Sequence, residues 1–205
     1  MGSNNSGGLN IDKPLLILVV GNPGSGKSFF ARQFSESYKF FYIDTGRYES
    51  ELEGLGKSNL EISKLAKKLT SATFEQALKS FKHIIFEGYF GSKSEREIIL
   101  NKAVKAGFGV LTVWVQTDNA TTEERAMNRD RRRADDKNSL DLSEDEFVTM
   151  LNSFEKPVAT KENSIVVSGK HDFKSQSVMV LRKIANIYMK EAQIPNTNSK
   201  KRFGL

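Results

Sequence analysis

The sequence predicts a three-layer α/β fold built on a five-stranded parallel sheet, and two observations carry that expectation. Apolar runs of strand length alternate along the chain with stretches of helical spacing, the order of elements typical of parallel sheets. The run at residues 14–20 is apolar without alternation, as expected for a central strand covered on both faces. We therefore place this strand inside the sheet, with helices packed on either side.

The other strands and helices follow from the same patterns. Further strands are expected at residues 39–43, 83–86, 110–115 and 165–167. Helices are expected after the first strand, from Ser58 to a break at residues 70–73, from Thr73 to about Phe81, and from Ser92 to Gly107. Further helices are expected from Thr121 into residues 129–133 and from Ser143. A last amphipathic helix is expected to carry Val178, Leu181, Ile184 and Tyr188 on one face. Ser58, Ser92 and Ser143 each precede a glutamate by three residues, which is the capping-box spacing at a helix start.

Length and composition limit the classes of protein. The 205 residues suffice for one domain, placed at residues 13–192 between a disordered leader (1–12) and a disordered basic tail (193–205). The absence of cysteine excludes disulfides and thiolate metal sites. No apolar run approaches the ~20 residues that cross a bilayer, and no signal peptide is visible, so a cytoplasmic protein without a membrane partner is expected. The net charge of +6 permits an anionic partner, nucleic acid included.

The most specific feature is a glycine-rich loop directly after the first strand. It has the pattern G-x-x-x-x-G-K-S, known as the Walker A sequence or P-loop. Glycines let backbone N–H groups wrap a polyphosphate, and the following helix adds the positive end of its dipole. Lys27 is expected to reach the β- and γ-phosphates, and Ser28 to ligate Mg²⁺. The predicted nucleotide-binding residues are Gly21, Asn22, Pro23, Gly24, Ser25, Gly26, Lys27, Ser28 and Phe29, with ATP and Mg²⁺ as the expected cofactors.

Acidic residues stand at the carboxyl ends of the second and third strands, the edge where ligands bind in open parallel sheets. Asp44 could accept a proton from an attacking hydroxyl or orient Mg²⁺-bound water, or it could simply cap the next helix. Arg47 could hold an anionic acceptor. Glu87 stands at the Walker B position, where a carboxylate supports Mg²⁺; it could instead act on substrate or be an ordinary strand-end acid.

A run of arginines follows the fourth strand. Arg125, Arg129, Arg132 and Arg133 share one face of the expected helix at i, i+4, i+7 and i+8. Such a face could neutralise charge on a transferring phosphoryl group, with the polar segment 135–142 as part of a mobile lid. The alternative is a solvated helix face paired with nearby acidic residues.

Residues from about 15 to 187 resemble the small P-loop kinases of the AAA-type predicted-kinase group, whose relatives include polynucleotide kinase domains, zeta-toxin-like kinases and nucleoside monophosphate kinases. The segments that carry the resemblance are GNPGSGKS, FYIDTGRYE, IIFEG with Ser94-Glu95-Arg96 after it, VWVQTDNATTEERAMNRDRRR, and Phe154-Glu155-Lys156-Pro157. The resemblance implies the P-loop NTPase fold with strand order 2-3-1-4-5, ATP-Mg²⁺ as phosphate donor, and a lid bearing arginines. Carried over by position, Asp44 is the candidate base, and Arg125, Arg129 and Arg132 are the lid residues. Glu87 stands where this group commonly has Asp.

Together these features predict an ATP-dependent kinase that moves the γ-phosphate of ATP-Mg²⁺ to a small molecule, a nucleotide or a nucleic-acid end. The predicted catalytic residues are Lys27, Asp44, Arg125, Arg129 and Arg132, the substrate-binding residues Asp44, Arg47 and Glu87, and the metal-binding residues Ser28 and Glu87. The alternative is an acceptor-independent ATPase or nucleotide-dependent switch acting through a protein partner. A third hypothesis, a nucleic-acid end-processing or binding protein, is motivated by the net charge, the arginines and the Lys200-Lys201-Arg202 tail.

Overall fold

The computed structural model describes residues 13–56, 58–130, 132, 137–138 and 141–193. The predicted leader, the tail beyond residue 193, Arg133 and half of the predicted lid segment (135, 136, 139 and 140) lie outside the described residues. Among the described helices, none is long and apolar enough to cross a membrane.

A five-stranded parallel sheet forms the centre of the molecule, with strand order β2-β3-β1-β4-β5. This confirms the predicted α/β class and the order implied by the resemblance. Every predicted strand is present within two residues of its expected bounds. The strands are β1 (Leu15–Val20), β2 (Phe41–Asp44), β3 (Ile84–Glu87), β4 (Gly109–Gln116) and β5 (Ser164–Ser168).

Helices connect consecutive strands and cover both faces of the sheet. They are α1 (Lys27–Tyr38), α2 (Thr45–Leu52), α3 (Asn59–Lys79), α4 (Lys93–Lys105), α5 (Asn119–Met127), α6 (Glu144–Ser153), α7 (Ala159–Glu162) and α8 (Phe173–Gln193). The serines predicted to start α3, α4 and α6 each accept a hydrogen bond from the backbone N–H three residues later, as the capping-box spacing indicates.

Strand β1 is the core of the sheet, since all six of its residues are 0% exposed. Its side chains alternate between two apolar clusters, because successive residues of a strand point to opposite faces. Leu15, Ile17 and Val19 pack with α1 and α8, while Leu16, Leu18 and Val20 pack with α3 and α4. The uninterrupted apolar run is therefore explained by burial on both sides.

The predicted break in α3 at residues 70–73 is wrong, because the helix continues to Lys79. Thr70 is only 6% exposed, and the Thr73 hydroxyl lies 2.6 Å from that of Tyr48 on α2. These tertiary contacts outweigh the low helix propensity of threonine. In α8 the prediction that Val178 belongs to the packed face is also wrong: Val178 is 39% exposed, whereas Val180 and Ile184 are buried.

Helix α5 ends at Met127, so the prediction that it runs into residues 129–133 is wrong. Asn128 adopts a non-helical conformation, and both its backbone N–H and its side-chain amide donate to the carbonyl of Glu124. An asparagine side chain that competes for helix carbonyls in this way favours termination. Arg125, Arg129 and Arg132 consequently do not share a helical face.

Candidate functional site

The P-loop connects β1 to α1 and depends on glycine at two positions. Gly26 is the N-cap of α1 and has a φ of 97°, and Gly24 has a φ of 78°. A Cβ on Gly24 would lie 2.1 Å from the backbone oxygen of Thr122 on α5. Both the left-handed backbone and the close approach exclude other residues at Gly24 without a shift of the loop.

A groove of about 550 Å³ runs along the carboxyl edge of the sheet, from α2 across the P-loop to the loop after β5. This is the edge at which ligands bind in open α/β sheets. The predicted site residues that line the groove are Pro23, Gly24, Gly26, Lys27, Ser28, Phe29, Asp44, Glu87, Arg125 and Arg129. Asn22 and Ser25 line a separate cavity of about 260 Å³ beside Trp114, and Gly21 packs on the end of β4.

Lys27 lies at the middle of the groove, where its Nζ donates to the carbonyl of Asn22 at 2.9 Å. Burial lowers the pKa of Lys27 to about 8. The nearby charge of Arg129 lowers this pKa further, whereas Glu87 and Asp44 oppose the shift. A buried ammonium of this kind gains most from an anionic ligand, which would both solvate its charge and raise its pKa.

Glu87 is the last residue of β3 and is 5% exposed. The Ser28 hydroxyl donates to its Oε1 at 3.3 Å, and the Tyr42 hydroxyl donates to its Oε2 at 3.2 Å. Burial raises the pKa of Glu87 to about 7, and the charge of Asp44 adds to that shift while Lys27 opposes it. Glu87 therefore titrates near neutrality in the absence of a ligand.

Asp44 is both a helix cap and a groove residue. Its Oδ1 accepts from the N–H of Gly46 at 2.9 Å, which makes it the N-cap of α2. Its Oδ2 accepts from Nδ2 of Asn138 at 2.6 Å. Strand register places Asp44 next to Glu87 on β3, with both carboxyl groups lining the groove. The capping role is thus present, and it leaves the carboxyl group at the site.

A metal ion is implied by the P-loop, and the residues present fit Mg²⁺. Across the described ranges, no three His, Cys, Asp or Glu side chains cluster to hold a metal by themselves. Ser28 and Glu87 offer one hydroxyl and one carboxylate next to the loop. Oxygen donors in this small number suit Mg²⁺, which keeps several waters and takes the remaining ligands from phosphate.

The predicted arginines differ in their distance from the groove. Arg125 and Arg129 line it, and Nη1 of Arg125 donates to the carbonyl of Gly169 at 3.2 Å. Arg132 does not line it: its side chain is 91% exposed and pairs with Asp130. Arg47 also lies outside the groove, where it is 63% exposed and pairs with Glu51 on the same helix at 2.7 Å. The catalytic or binding roles of these arginines stay predictions.

Several groove residues were not predicted: Tyr42, Glu49, Tyr89, Gly169 and His171. Gly169 packs so closely on the P-loop that a Cβ would lie 1.8 Å from the backbone oxygen of Ser25. Gly169 and His171 follow β5 directly, so the strand-end rule applied to the fifth strand would have found them. Tyr42 and Glu49 carry no such signal, because the direction of each side chain depends on how β2 and α2 pack.

The P-loop, the oxygen donors beside it and the groove along the sheet edge define a P-loop nucleotide-binding protein. The chain belongs to the AAA domain family, whose model matches residues 16–157.

Solved structures share the fold over most of their length. They include a candidate kinase from Chloroflexus aurantiacus (17% identity, TM-score 0.65, covering 84% of this chain and 99% of that one). Also similar is a sugar kinase from Janibacter sp. (11% identity, TM-score 0.60, covering 84% of this chain and 95% of that one). Kti12 from Chaetomium thermophilum, in complex with ADP-AlF3, is similar as well (17% identity, TM-score 0.58, covering 83% of this chain and 97% of that one). At these identities the likeness concerns the fold alone. The comparison with curated proteins gives no significant match.

Proposed function

We propose that the chain is a phosphotransferase that moves the γ-phosphoryl group of ATP, bound with Mg²⁺, to a hydroxyl of a second substrate. The observation that carries this proposal is the single groove that joins the P-loop to the neighbouring carboxyl groups of Asp44 and Glu87. A P-loop alone accounts for triphosphate binding. The additional space beside β2 and β3 accounts for an acceptor.

The triphosphate would lie on the P-loop, where Lys27 exchanges the carbonyl of Asn22 for phosphate oxygens. Arg125 and Arg129 reach the groove from the side of β4 and would balance the charge of the phosphates. Ser28 and Glu87 would hold the metal ion, which neutralises charge on the β- and γ-phosphates when bound.

Asp44 would act as general base toward the acceptor hydroxyl. Its Oδ2 accepts from Asn138, another residue that lines the groove, and has the capacity to accept from a substrate O–H instead. As the acceptor oxygen bonds to the γ-phosphorus, the bond to the ADP oxygen breaks and the hydroxyl proton passes to Asp44. Positioning and charge neutralisation supply the remaining catalysis.

The test measures ADP formation from ATP-Mg²⁺ with a panel of acceptors that includes sugars, polyols, nucleosides, nucleotides and oligonucleotide ends. At least one acceptor is expected to raise turnover tenfold or more above the acceptor-free rate. Asp44→Asn should lower the stimulated kcat by about 10²–10⁴-fold, the range for loss of a general base. ATP affinity of this variant should stay close to that of the wild type.

Glu51→Gln is the matched control, because it alters a carboxyl group on the exposed side of α2 outside the groove. If no acceptor raises turnover and Asp44→Asn leaves ATP hydrolysis unchanged, the kinase proposal fails. The chain would then be an acceptor-independent ATPase or a nucleotide-dependent switch.

A further inference from the structure

Charged residues are segregated along the groove. The carboxyl groups that line it, Asp44, Glu49 and Glu87, all come from the β2–β3 side of the sheet. Lys27 stands at the centre on the P-loop, and Arg125 and Arg129 line the β4–β5 side. The half of the groove beyond the P-loop toward β2 therefore presents mainly carboxyl groups to a second substrate.

Glu49 is the acidic residue of this half to which the proposed phosphotransferase mechanism gives no role. It lies four residues after Thr45 on α2, so both side chains share the helix face that lines the groove. Burial raises the pKa of Glu49, and the charge of Asp44 adds to the shift, whereas Ser63 and Lys67 of α3 oppose it. Ionised Glu49 therefore carries a desolvation cost, which a hydrogen-bond donor on a bound ligand would offset.

Two arginines lie near this half, and only one of them lines it. Arg47, which the sequence offered as an anion-binding residue, turns outward to Glu51. Arg32 of α1 does line the groove, where its Nη1 lies 3.7 Å from Oε1 of Glu36 on the same helix. Among the residues that line this half, the carboxyl groups of Asp44, Glu49 and Glu87 therefore outnumber the one guanidinium, that of Arg32.

We infer that the acceptor is a small hydroxylated molecule without a phosphate or carboxylate group, either neutral or cationic, and that Glu49 binds it. This inference rests on the proposed phosphotransferase function and names the substrate class of the same site. Hydroxyl and ammonium groups would donate charge-assisted hydrogen bonds to the carboxylates. A phosphorylated acceptor would instead place like charges together, which costs affinity. Tyr89 and Met150 also line this half and offer apolar surface to a ring or carbon chain.

The experiment offers acceptors in matched pairs that differ only by a phosphate group: sugars, amino sugars, polyols and nucleosides against their monophosphates. ADP formation is followed at saturating ATP-Mg²⁺. The unphosphorylated member of a pair should be the better acceptor by at least tenfold in kcat/KM. Glu49→Gln should raise the KM for that acceptor about tenfold or more while leaving the KM for ATP unchanged.

Two further variants make the result specific. Glu51→Gln, on the outward face of the same helix, should leave both KM values unchanged. Glu49→Lys should shift the preference toward the phosphorylated member of the pair. Circular dichroism and thermal unfolding establish that each variant is folded before it is assayed.

A preference for phosphorylated acceptors, or equal effects of Glu49→Gln and Glu51→Gln, would overturn the inference and leave the phosphotransferase proposal standing. Failure of every acceptor, together with an unaffected Asp44→Asn variant, would remove the proposed function and this inference with it.

Discussion

Among single residues, Glu87 shows most clearly that the site makes the ionised form of a carboxyl group unfavourable. A carboxyl group at the end of a buried strand loses its hydration, and Asp44 on the adjacent strand adds like charge. Hydrogen bonds from Tyr42 and Ser28 offset only part of that cost. The arrangement is consistent with a group that acts through a cation, because a bound Mg²⁺ would favour the ionised form.

The raised pKa of Glu87 makes the ligand-free protein less stable as pH rises. Glu87 ionises near 4.5 in the unfolded chain and near 7 in the folded one, so the folded state holds the extra proton between these values. Stability from this group is therefore lost from pH 4.5 through 7, by up to about 3 kcal/mol. Glu87→Gln cannot ionise, so between pH 5 and 7.5 its free energy of unfolding should rise relative to that of the wild type by about 2 kcal/mol.

Urea denaturation at several pH values, without nucleotide, measures this difference. Glu51→Gln should run parallel to the wild type over the same range. A constant offset between Glu87→Gln and the wild type would show that Glu87 has no raised pKa.

Among elements, the contact between the P-loop and α5 depends on the missing side chain of Gly24. Gly24→Ala must accommodate a φ of 78° and a Cβ 2.1 Å from the oxygen of Thr122, a backbone atom. We expect a loss of stability of about 2–5 kcal/mol, the sum of left-handed strain and overpacking. ATP affinity should fall at least tenfold, because the loop has to move. Chemical denaturation and calorimetric titration with ATP-Mg²⁺ measure the two effects.

Gly54→Ala is the matched control for this substitution. Gly54 has a similar φ of 85°, but a Cβ there would meet no described atom within 4 Å. It should cost only the strain of the left-handed backbone, about 1–2 kcal/mol, and leave ATP affinity unchanged. Equal losses at the two glycines would mean that contact with α5 does not constrain the loop.

The ion pair between Arg96 and Glu162 joins α4 to α7 in the protein interior. It is bidentate, with Nε–Oε2 and Nη2–Oε1 distances of 2.7 and 3.0 Å, and the two side chains are 0% and 1% exposed. Nη1 of Arg96 also donates to the carbonyls of Phe90 and Gly91, in the loop after β3. Removing one partner leaves a buried charge and two carbonyls without their donor.

Arg96→Met should therefore cost about 3–5 kcal/mol in the free energy of unfolding. The double variant Arg96→Met/Glu162→Met should recover much of the loss, because no unpaired charge remains. Lys93→Met breaks an exposed pair with Glu97 on the same helix and should cost less than about 1 kcal/mol. Urea denaturation of the three variants measures these free energies of unfolding. A loss of stability in Arg96→Met as small as that in Lys93→Met would contradict the prediction.

Elements with local signals could be predicted, and those fixed by distant contacts could not. The strands and the serine caps depend on residues that are close together in the sequence, as at Ser58 and Ser143. The continuity of α3 depends on the burial of Thr70, which no local pattern reveals. Helix α7 has four residues, and its Glu162 meets a partner 66 positions earlier in the chain.

On the scale of the whole molecule, the location of the site could be predicted because parallel strands all end at one edge. Lys27, Asp44 and Glu87 belong to three different strand ends and line one groove. The third acidic residue of that groove, Glu49, could not be predicted, since its place there depends on the direction of its side chain on α2. The outward position of Arg132 depends on where α5 ends, which was not foreseen.

Nucleotide binding should stabilise the whole fold, because only the folded chain assembles the groove. At 100 times its dissociation constant, ATP-Mg²⁺ should add ~2.7 kcal/mol to the free energy of unfolding. For a chain of this size that corresponds to a rise in Tm of roughly 5–10 °C.

Thermal unfolding with and without ATP-Mg²⁺ measures this rise in the wild type and in two variants. Lys27→Ala should lose most of it, because the ammonium lies at the centre of the groove. Arg132→Ala should keep most of it, since that side chain is 91% exposed and outside the groove. Equal losses in the two variants would contradict the groove as the nucleotide site. A rise confined to the wild type and Arg132→Ala would establish Lys27 and the P-loop as the point at which the nucleotide is linked to the stability of the sheet.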